Sequence, residues 1–282
     1  MKYAIELKGV SKDYGDFKLD NISFSIPEGY ICGFIGQNGA GKTTTIKLIL
    51  DIIKRDGGEI RVFGEEVEGK SLLKEDIGVV YDEMGFHDFL TPKDINTIMK
   101  NVYANWQEET FYTYLKRFAL PSKKSCGKFS RGMRMKLQIA VALSHSAKLL
   151  IMDEPTSGLD PIVRNEILQI FQEYIMEENH TILLSSHITS DLERIADMLV
   201  FINGGKVILS GNKDELLEKH GLMKCKKTEL ELIEQEDVVS TRQSAFGVEV
   251  LVKDREACTK KYADKVIEEA RLEEIMLFYA VK

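Results

Sequence analysis

The chain has 282 residues, of which 44% are hydrophobic and 29% charged, and it carries a net charge of −7. Such a composition fits a folded globular protein of one large or two modest domains and excludes a long disordered tract. The acidic balance argues against a protein held to nucleic acid mainly by charge, so no nucleic-acid partner is expected. Four cysteines, Cys32, Cys126, Cys225 and Cys258, lie far apart and form no C-x-x-C pair. They are expected to be reduced, buried thiols. The first eight residues carry charge too early for a signal peptide, and no run approaches the roughly 18 apolar residues of a spanning helix. Any membrane role is expected to come through a partner.

Taken in chain order, residues 3–27 alternate apolar and polar, as in Ile22-Ser23-Phe24-Ser25-Ile26, which predicts half-buried strands. The apolar run Tyr30–Ile35 predicts a buried strand, followed by a glycine-rich loop and a helix over Thr45–Leu50. Gly58–Gly64 and Ile77–Tyr81 predict two more strands. Residues 92–145 change to helical spacing, with Ile95, Ile98, Met99 and Val102 on one helix and Phe111, Leu115 and Phe118 on another. Ser130 to Leu143 forms a third, so this stretch is expected to be an inserted helical subdomain. Beyond it, strands at 149–152, 181–185 and 198–202 alternate with helices at 161–177 and 189–196. That alternation predicts a parallel sheet covered on both faces. After about residue 220 the signals weaken. Glu229–Ile233 and Val248–Val252 alternate like strands, and Leu272–Ala280 predicts a closing helix.

The loop is Gly36-Gln37-Asn38-Gly39-Ala40-Gly41-Lys42-Thr43-Thr44, which fits the P-loop pattern G-x-x-x-x-G-K-[ST] in its required strand–loop–helix setting. Glycines let the backbone wrap a phosphate, N–H groups converge on it, and the helix N-terminus adds partial positive charge. Lys42 is placed to reach the β- and γ-phosphates and Thr43 to hold Mg²⁺. Four apolar residues precede Asp153-Glu154, placing two carboxylates where an open α/β sheet binds its ligand. Asp153 suits Mg²⁺, directly or through water, and Glu154 suits a general base on an attacking water. His187 follows the strand 181–185 and Ser186, within reach of the γ-phosphate or that water.

In order, these residues resemble the ATP-binding cassette (ABC) ATPase family from about residue 3 to residue 220. The resemblance implies an α/β fold: a P-loop NTPase core with a mixed sheet, an antiparallel β subdomain and the helical insertion, plus a small C-terminal α/β appendage over 221–282. It makes 36–44 the Walker A loop, 149–154 the Walker B strand, Ser157-Gly158-Leu159-Asp160 the D-loop and Ser186-His187 the switch histidine. Tyr14 matches the aromatic that stacks on adenine, and a half-buried strand residue is the alternative for it. Phe129-Ser130-Arg131-Gly132-Met133 matches the family's Leu-Ser-Gly-Gly-Gln signature, keeping Ser130 and Gly132 but carrying Arg131 for the first glycine and Met133 for the glutamine. Ser130 and Gly132 thereby become contacts to nucleotide held by a second cassette, and Asp160 of the D-loop a nucleotide-binding residue. The usual glutamine after strand 77–81 is replaced by Asp82, which could serve Mg²⁺ as a carboxylate or point to solvent while a water fills the gap.

Within the family, the segment Met84–Pro92 borders a groove that receives a helix of the membrane subunit. Phe86 and Phe89 either line that groove or anchor the helical subdomain. The acidic replacement at 82, the Ser-Arg-Gly-Met signature and the ending Leu272–Tyr279 resemble subunits of bacterial ABC-2-type exporters. The resemblance implies ATP and Mg²⁺ as cofactors, a second cassette and an integral membrane permease as partners, and a place on the cytoplasmic face of the membrane. A soluble ABC ATPase acting on ribosome or DNA is the alternative. Such members carry two cassettes in one chain, long coiled coils or zinc modules, none of which this sequence has.

Overall fold

The structure, a computed structural model, describes residues 2–68, 75–83, 85–244 and 247–280. Met84, part of the segment matched to the permease groove, lies outside them.

The first sheet is built from β1 (Tyr3–Asp13), β2 (Lys18–Pro27), β4 (Gly57–Val62) and β5 (Glu65–Glu66), in the order β2-β1-β4-β5 and antiparallel throughout. Alternation sets its inner face, where Ile5, Leu7, Leu19, Ile22, Ile60 and Val62 are buried. Between β2 and β4 the chain crosses into a second sheet through β3 (Ile31–Ile35) and returns by α1 (Lys42–Ile49).

That second sheet adds β6 (Ile77–Val80), β7 (Leu149–Asp153), β8 (Thr181–Ser186), β9 (Met198–Asn203) and β10 (Lys206–Asn212). Its order is β10-β9-β3-β8-β7-β6; all neighbours are parallel except the edge strand β10 on β9. β3, β7 and β8 are buried at every position, as continuous apolar runs in a parallel sheet should be. Every parallel crossover needs a covering element. α2 (Pro92–Val102), α3 (Glu108–Arg117) and α4 (Arg131–Ala142) fill the link from β6 to β7. α5 (Pro161–Ile175) links β7 to β8 and α6 (Thr189–Ile195) links β8 to β9.

The helical insertion differs from its pattern in one respect. α2 seats through Ile95 and Asn96, whereas Ile98 and Val102 are 40% and 58% exposed. Their shared spacing marks a second apolar stripe that the described residues of this chain do not cover.

After α7 (Lys213–Lys219), a third sheet forms from β11 (Gly221–Cys225), β12 (Val238–Ser244), β13 (Gly247–Val252) and β14 (Ile267–Glu269), in the order β12-β13-β11-β14. α8 (Arg255–Lys261) precedes β14, and α9 (Leu272–Ala280) follows it. Glu229–Ile233 is not the strand its alternation predicts. Residues Lys227–Leu232 form a 3₁₀ turn, because the Glu229 carboxylate folds back to accept from the Lys226 N–H (2.7 Å) and pairs with Lys265 Nζ (2.7 Å). α9 locks the third sheet to the core. Leu272 enters the cluster that holds Leu192, Ile195, Leu199 and Phe201, while Ile275 and Phe278 pack with Leu222, Val239 and Leu251. The Leu272 N–H donates to Glu193 Oε1 on α6 at 3.0 Å.

Candidate functional site

The loop between β3 and α1 is shaped by its glycines. Gly39 and Gly41 hold φ of 81° and 111°, open to residues without a side chain. A Cβ on Gly36 would stand 2.5 Å from the Ile202 carbonyl, and one on Gly41 2.5 Å from Leu19 Cδ2. The loop is therefore pressed onto β9 and β2 while its other side faces out. No side chain caps the N-terminus of α1, so its first N–H groups remain available to an anion.

Lys42 is 6% exposed, and its ammonium donates to the carbonyls of Gly36 (2.7 Å) and Gln37 (3.3 Å). It also lies 3.2 Å from Glu154 Oε1, an ion pair whose angles do not make a hydrogen bond, so this buried oxygen lacks a hydrogen-bond donor. His187 Nδ1 is 2.7 Å from the other oxygen, Oε2. An ionised carboxylate only accepts, so Nδ1 carries the proton and Nε2 is left for another partner. Glu154 itself sits at φ 53°, a costly conformation for a residue with a Cβ. Its N–H donates to the Ser185 carbonyl at 3.2 Å and to Ser185 Oγ at 3.1 Å, which helps hold that geometry.

Asp153 ends β7 at 6% exposure with both oxygens engaged: Thr43 Oγ1 donates to Oδ2 and Ser185 Oγ to Oδ1, each at 2.6 Å. Together Gln37, Asn38, Gly39, Gly41, Lys42, Thr43, Thr44, Asp82, Asp153 and Glu154 line a cleft of about 500 Å³. That volume suits a small ligand.

Asp82 stands in this cleft wall, but its carboxylate is taken: Arg131 Nη2, from the first turn of α4, pairs with Oδ1 at 2.5 Å. Two helical turns along, buried Gln138 grips the backbone of Tyr81, donating to its carbonyl (3.0 Å) and accepting from its N–H (3.3 Å). Among the described residues, no three of His, Cys, Asp and Glu are already gathered as a metal cluster.

The remaining expected residues are placed elsewhere. Tyr14 is 52% exposed at the β1–β2 turn, with Lys12 Nζ 5.6 Å from its ring centroid, and the aromatic lining the cleft is Phe17. Ser130 caps α4 by accepting from the Met133 N–H (3.3 Å), and Asp160 caps α5 by accepting from those of Ile162 and Val163 (3.1 Å each). Neither these two nor Gly132 lines the cleft of its own chain. Sequence patterns did not single out Phe17, Ser185 or Gln138. Their importance comes from contacts across the fold rather than from a local motif.

A P-loop on a parallel sheet, with a strand-end carboxylate pair and a histidine one strand away, defines a P-loop nucleoside triphosphatase. The particular family follows from comparison with known proteins. The family model described as ABC transporter matches residues 19–157, and a model for an AAA domain matches 125–190. The chain is 35% identical over 252 residues to the bacitracin transport ATP-binding protein BcrA of Bacillus licheniformis, covering 88% of this chain and 81% of that protein. It is 36% identical over 213 residues to the lantibiotic transport ATP-binding protein SrtF of Streptococcus pyogenes, covering 74% and 91%. The solved structure of an ATP-binding subunit of an ABC transporter superposes with a TM-score of 0.69 at 27% identity, covering 76% and 91%. The chain belongs to the ABC transporter family of ATP-binding subunits, and its enzymatic activity is ATP hydrolysis.

Proposed function

We propose that this chain hydrolyses ATP between two cassettes and thereby powers a separately encoded membrane exporter. Residues 1–220 form the ATPase and 221–282 an accessory segment. The observation that carries the reading is Glu154, suspended between Lys42 and His187 directly after Asp153. The buried Lys42 and the hydrogen-bond-poor Glu154 Oε1 are groups waiting for a phosphate and a water.

On ATP entry Lys42 exchanges the Gly36 and Gln37 carbonyls for phosphate oxygens, and the P-loop N–H groups close around the same anion. The paired Thr43 hydroxyl and Asp153 carboxylate are an oxygen set that fits Mg²⁺, with Asp82 as a third candidate. Mg²⁺, when bound, neutralises charge that develops on the phosphates. Glu154 takes the proton of the attacking water. His187 orients Glu154 through Nδ1, and Nε2, an acceptor in that tautomer, is left to take a hydrogen bond from the attacking water. Ser130, Gly132 and Asp160 lie outside their own cleft, which supports their meeting nucleotide held by a second copy or close homologue. Tyr14 is left open to stack on adenine.

The partner is a permease, and the working place is the cytoplasmic face of its membrane. None of the described helices is long and apolar enough to cross a membrane. Phe86 packs against the core, whereas Phe89 is 74% exposed and stacked on His87 (centroids 5.4 Å apart), so Phe89 is the aromatic offered to the permease. The names of the relatives make bacitracin and lantibiotics the cargoes to test first.

Pull-down of the tagged chain from detergent-solubilised native membranes tests this. A polytopic membrane protein in near-stoichiometric amount supports the reading. Ribosomal or DNA-bound partners alone overturn it in favour of a soluble ABC ATPase.

A further inference from the structure

α4 holds the exit of β6 at two points on one face. Gln138 and Arg131 are seven residues apart, two helical turns, and so project to the same side. The Gln138 grip on Tyr81 is buried and made to backbone. The Arg131 grip on Asp82 differs: both side chains are about half exposed, 50% and 48%. Exposed ion pairs are weak and readily exchanged. The guanidinium also lies over Gly158. A Cβ there would stand 2.8 Å from Arg131 Nη1 and 3.0 Å from Cζ. One side chain thus touches the cleft wall and the turn after β7, from the first residue of the signature helix.

We propose that Arg131 is a positioning residue that pairs with Asp82 and competes for its carboxylate with the Mg²⁺ that accompanies nucleotide. The inference rests on the proposed role of Asp82 toward the metal. Tyr81, clamped by Gln138, is the fixed pivot, and the Asp82 side chain is the part that swings. At the same distance a divalent cation would attract the carboxylate more strongly than one guanidinium, because attraction scales with charge, and the half-exposed ion pair is readily broken. The exchange also changes α4. A cation in a helix's first turn opposes the helix dipole, and Asp82 offsets that charge. Once Asp82 leaves, the start of α4 carries uncompensated positive charge beside Ser130. Loading one cassette therefore prepares its signature edge for the phosphate of the other.

The test is metal binding without turnover. The full-length chain carrying Glu154→Gln is saturated with the fluorescent nucleotide mant-ATP. Mn²⁺ affinity is then read by electron paramagnetic resonance, with nucleotide binding in EDTA as the control for an intact P-loop. The expected result is that Arg131→Ala tightens Mn²⁺ binding about three- to ten-fold, Arg131→Lys less, and Asp82→Asn weakens it by a similar factor. Adding Arg131→Ala to Asp82→Asn changes nothing further. If Arg131→Ala has no effect while Asp82→Asn weakens binding, the latch is overturned and the metal role of Asp82 stands. Equal effects of Arg131→Ala with and without Asp82 overturn the latch as well. An unchanged Mn²⁺ affinity in Asp82→Asn overturns the metal role and the latch together.

Discussion

The cleft and the signature edge treat their helix termini in opposite ways. α1 starts at Gly41 with no side-chain cap and points its N–H groups into the cleft. α4 and α5 start at Ser130 and Asp160, whose own oxygens cap them. The cleft leaves the start of α1 uncapped and one buried oxygen, Glu154 Oε1, without a hydrogen-bond donor. The signature edge is satisfied as it stands. On the proposed function, the difference teaches that one chain offers a catalytic half-site and, apart from it, an edge suited to nucleotide that another chain supplies.

The sharpest way to break that comparison is at Glu154. Glu154→Gln should lower the ATPase rate by about 10³-fold, the scale of a lost general base, while nucleotide still binds. Phosphate release and sedimentation are the measurements, with dimers accumulating on ATP. A rate within ten-fold of the parent would remove Glu154 from the role. Lys42→Ala comes next. Loss of charge-assisted hydrogen bonds to phosphate should weaken nucleotide affinity of the isolated chain by roughly 10- to 100-fold, read by calorimetry.

Ser130→Ala should separate the two regions. It should cost about 1 kcal/mol of stability through the lost cap and weaken ATP-driven dimerisation, yet leave nucleotide affinity of the monomer unmoved. A fall in monomer affinity would mean that the edge belongs to its own cleft.

A further effect is in acid. His145, just past α4, and His220, before β11, are both buried, and burial pushes their imidazoles below the ordinary 6.5. The unfolded chain takes up these protons first. Stability is therefore complete above about 6.5 and is lost as pH falls toward the depressed folded values. The loss is about 1.4 kcal/mol per unit of difference at each site. Urea unfolding at pH 7 and pH 5 should show the drop, and His220→Gln should shrink it.

Local chemistry was legible in the sequence wherever it is contiguous. The loop 36–44, Asp153-Glu154 and His187 are brought together as their motifs imply, because each motif carries its own strand. What stayed hidden is held by contacts between distant residues. Ser185 reads as an ordinary strand end until Asp153 and Glu154 are seen to share its hydroxyl. Gln138 reads as a helix residue until Tyr81, 57 positions away, is found in its grip. The third sheet was half hidden for a related reason. β11 and β14 are short, and much of β12 faces solvent, so neither burial nor alternation announces them. Glu229–Ile233 has a strand's alternation, but its acidic side chain found a nearer partner in backbone.

The seating of α9 has a consequence for biosynthesis. Phe201 and Leu272 are separated by 71 residues. At about 5–20 residues per second, a ribosome needs about 4–14 s to travel between them. Throughout that interval Leu192, Ile195, Leu199 and Phe201 lack the helix that covers them. The nascent chain is therefore a client for a chaperone that shields apolar surface, and a message truncated before α9 would yield an aggregation-prone product with its P-loop already formed.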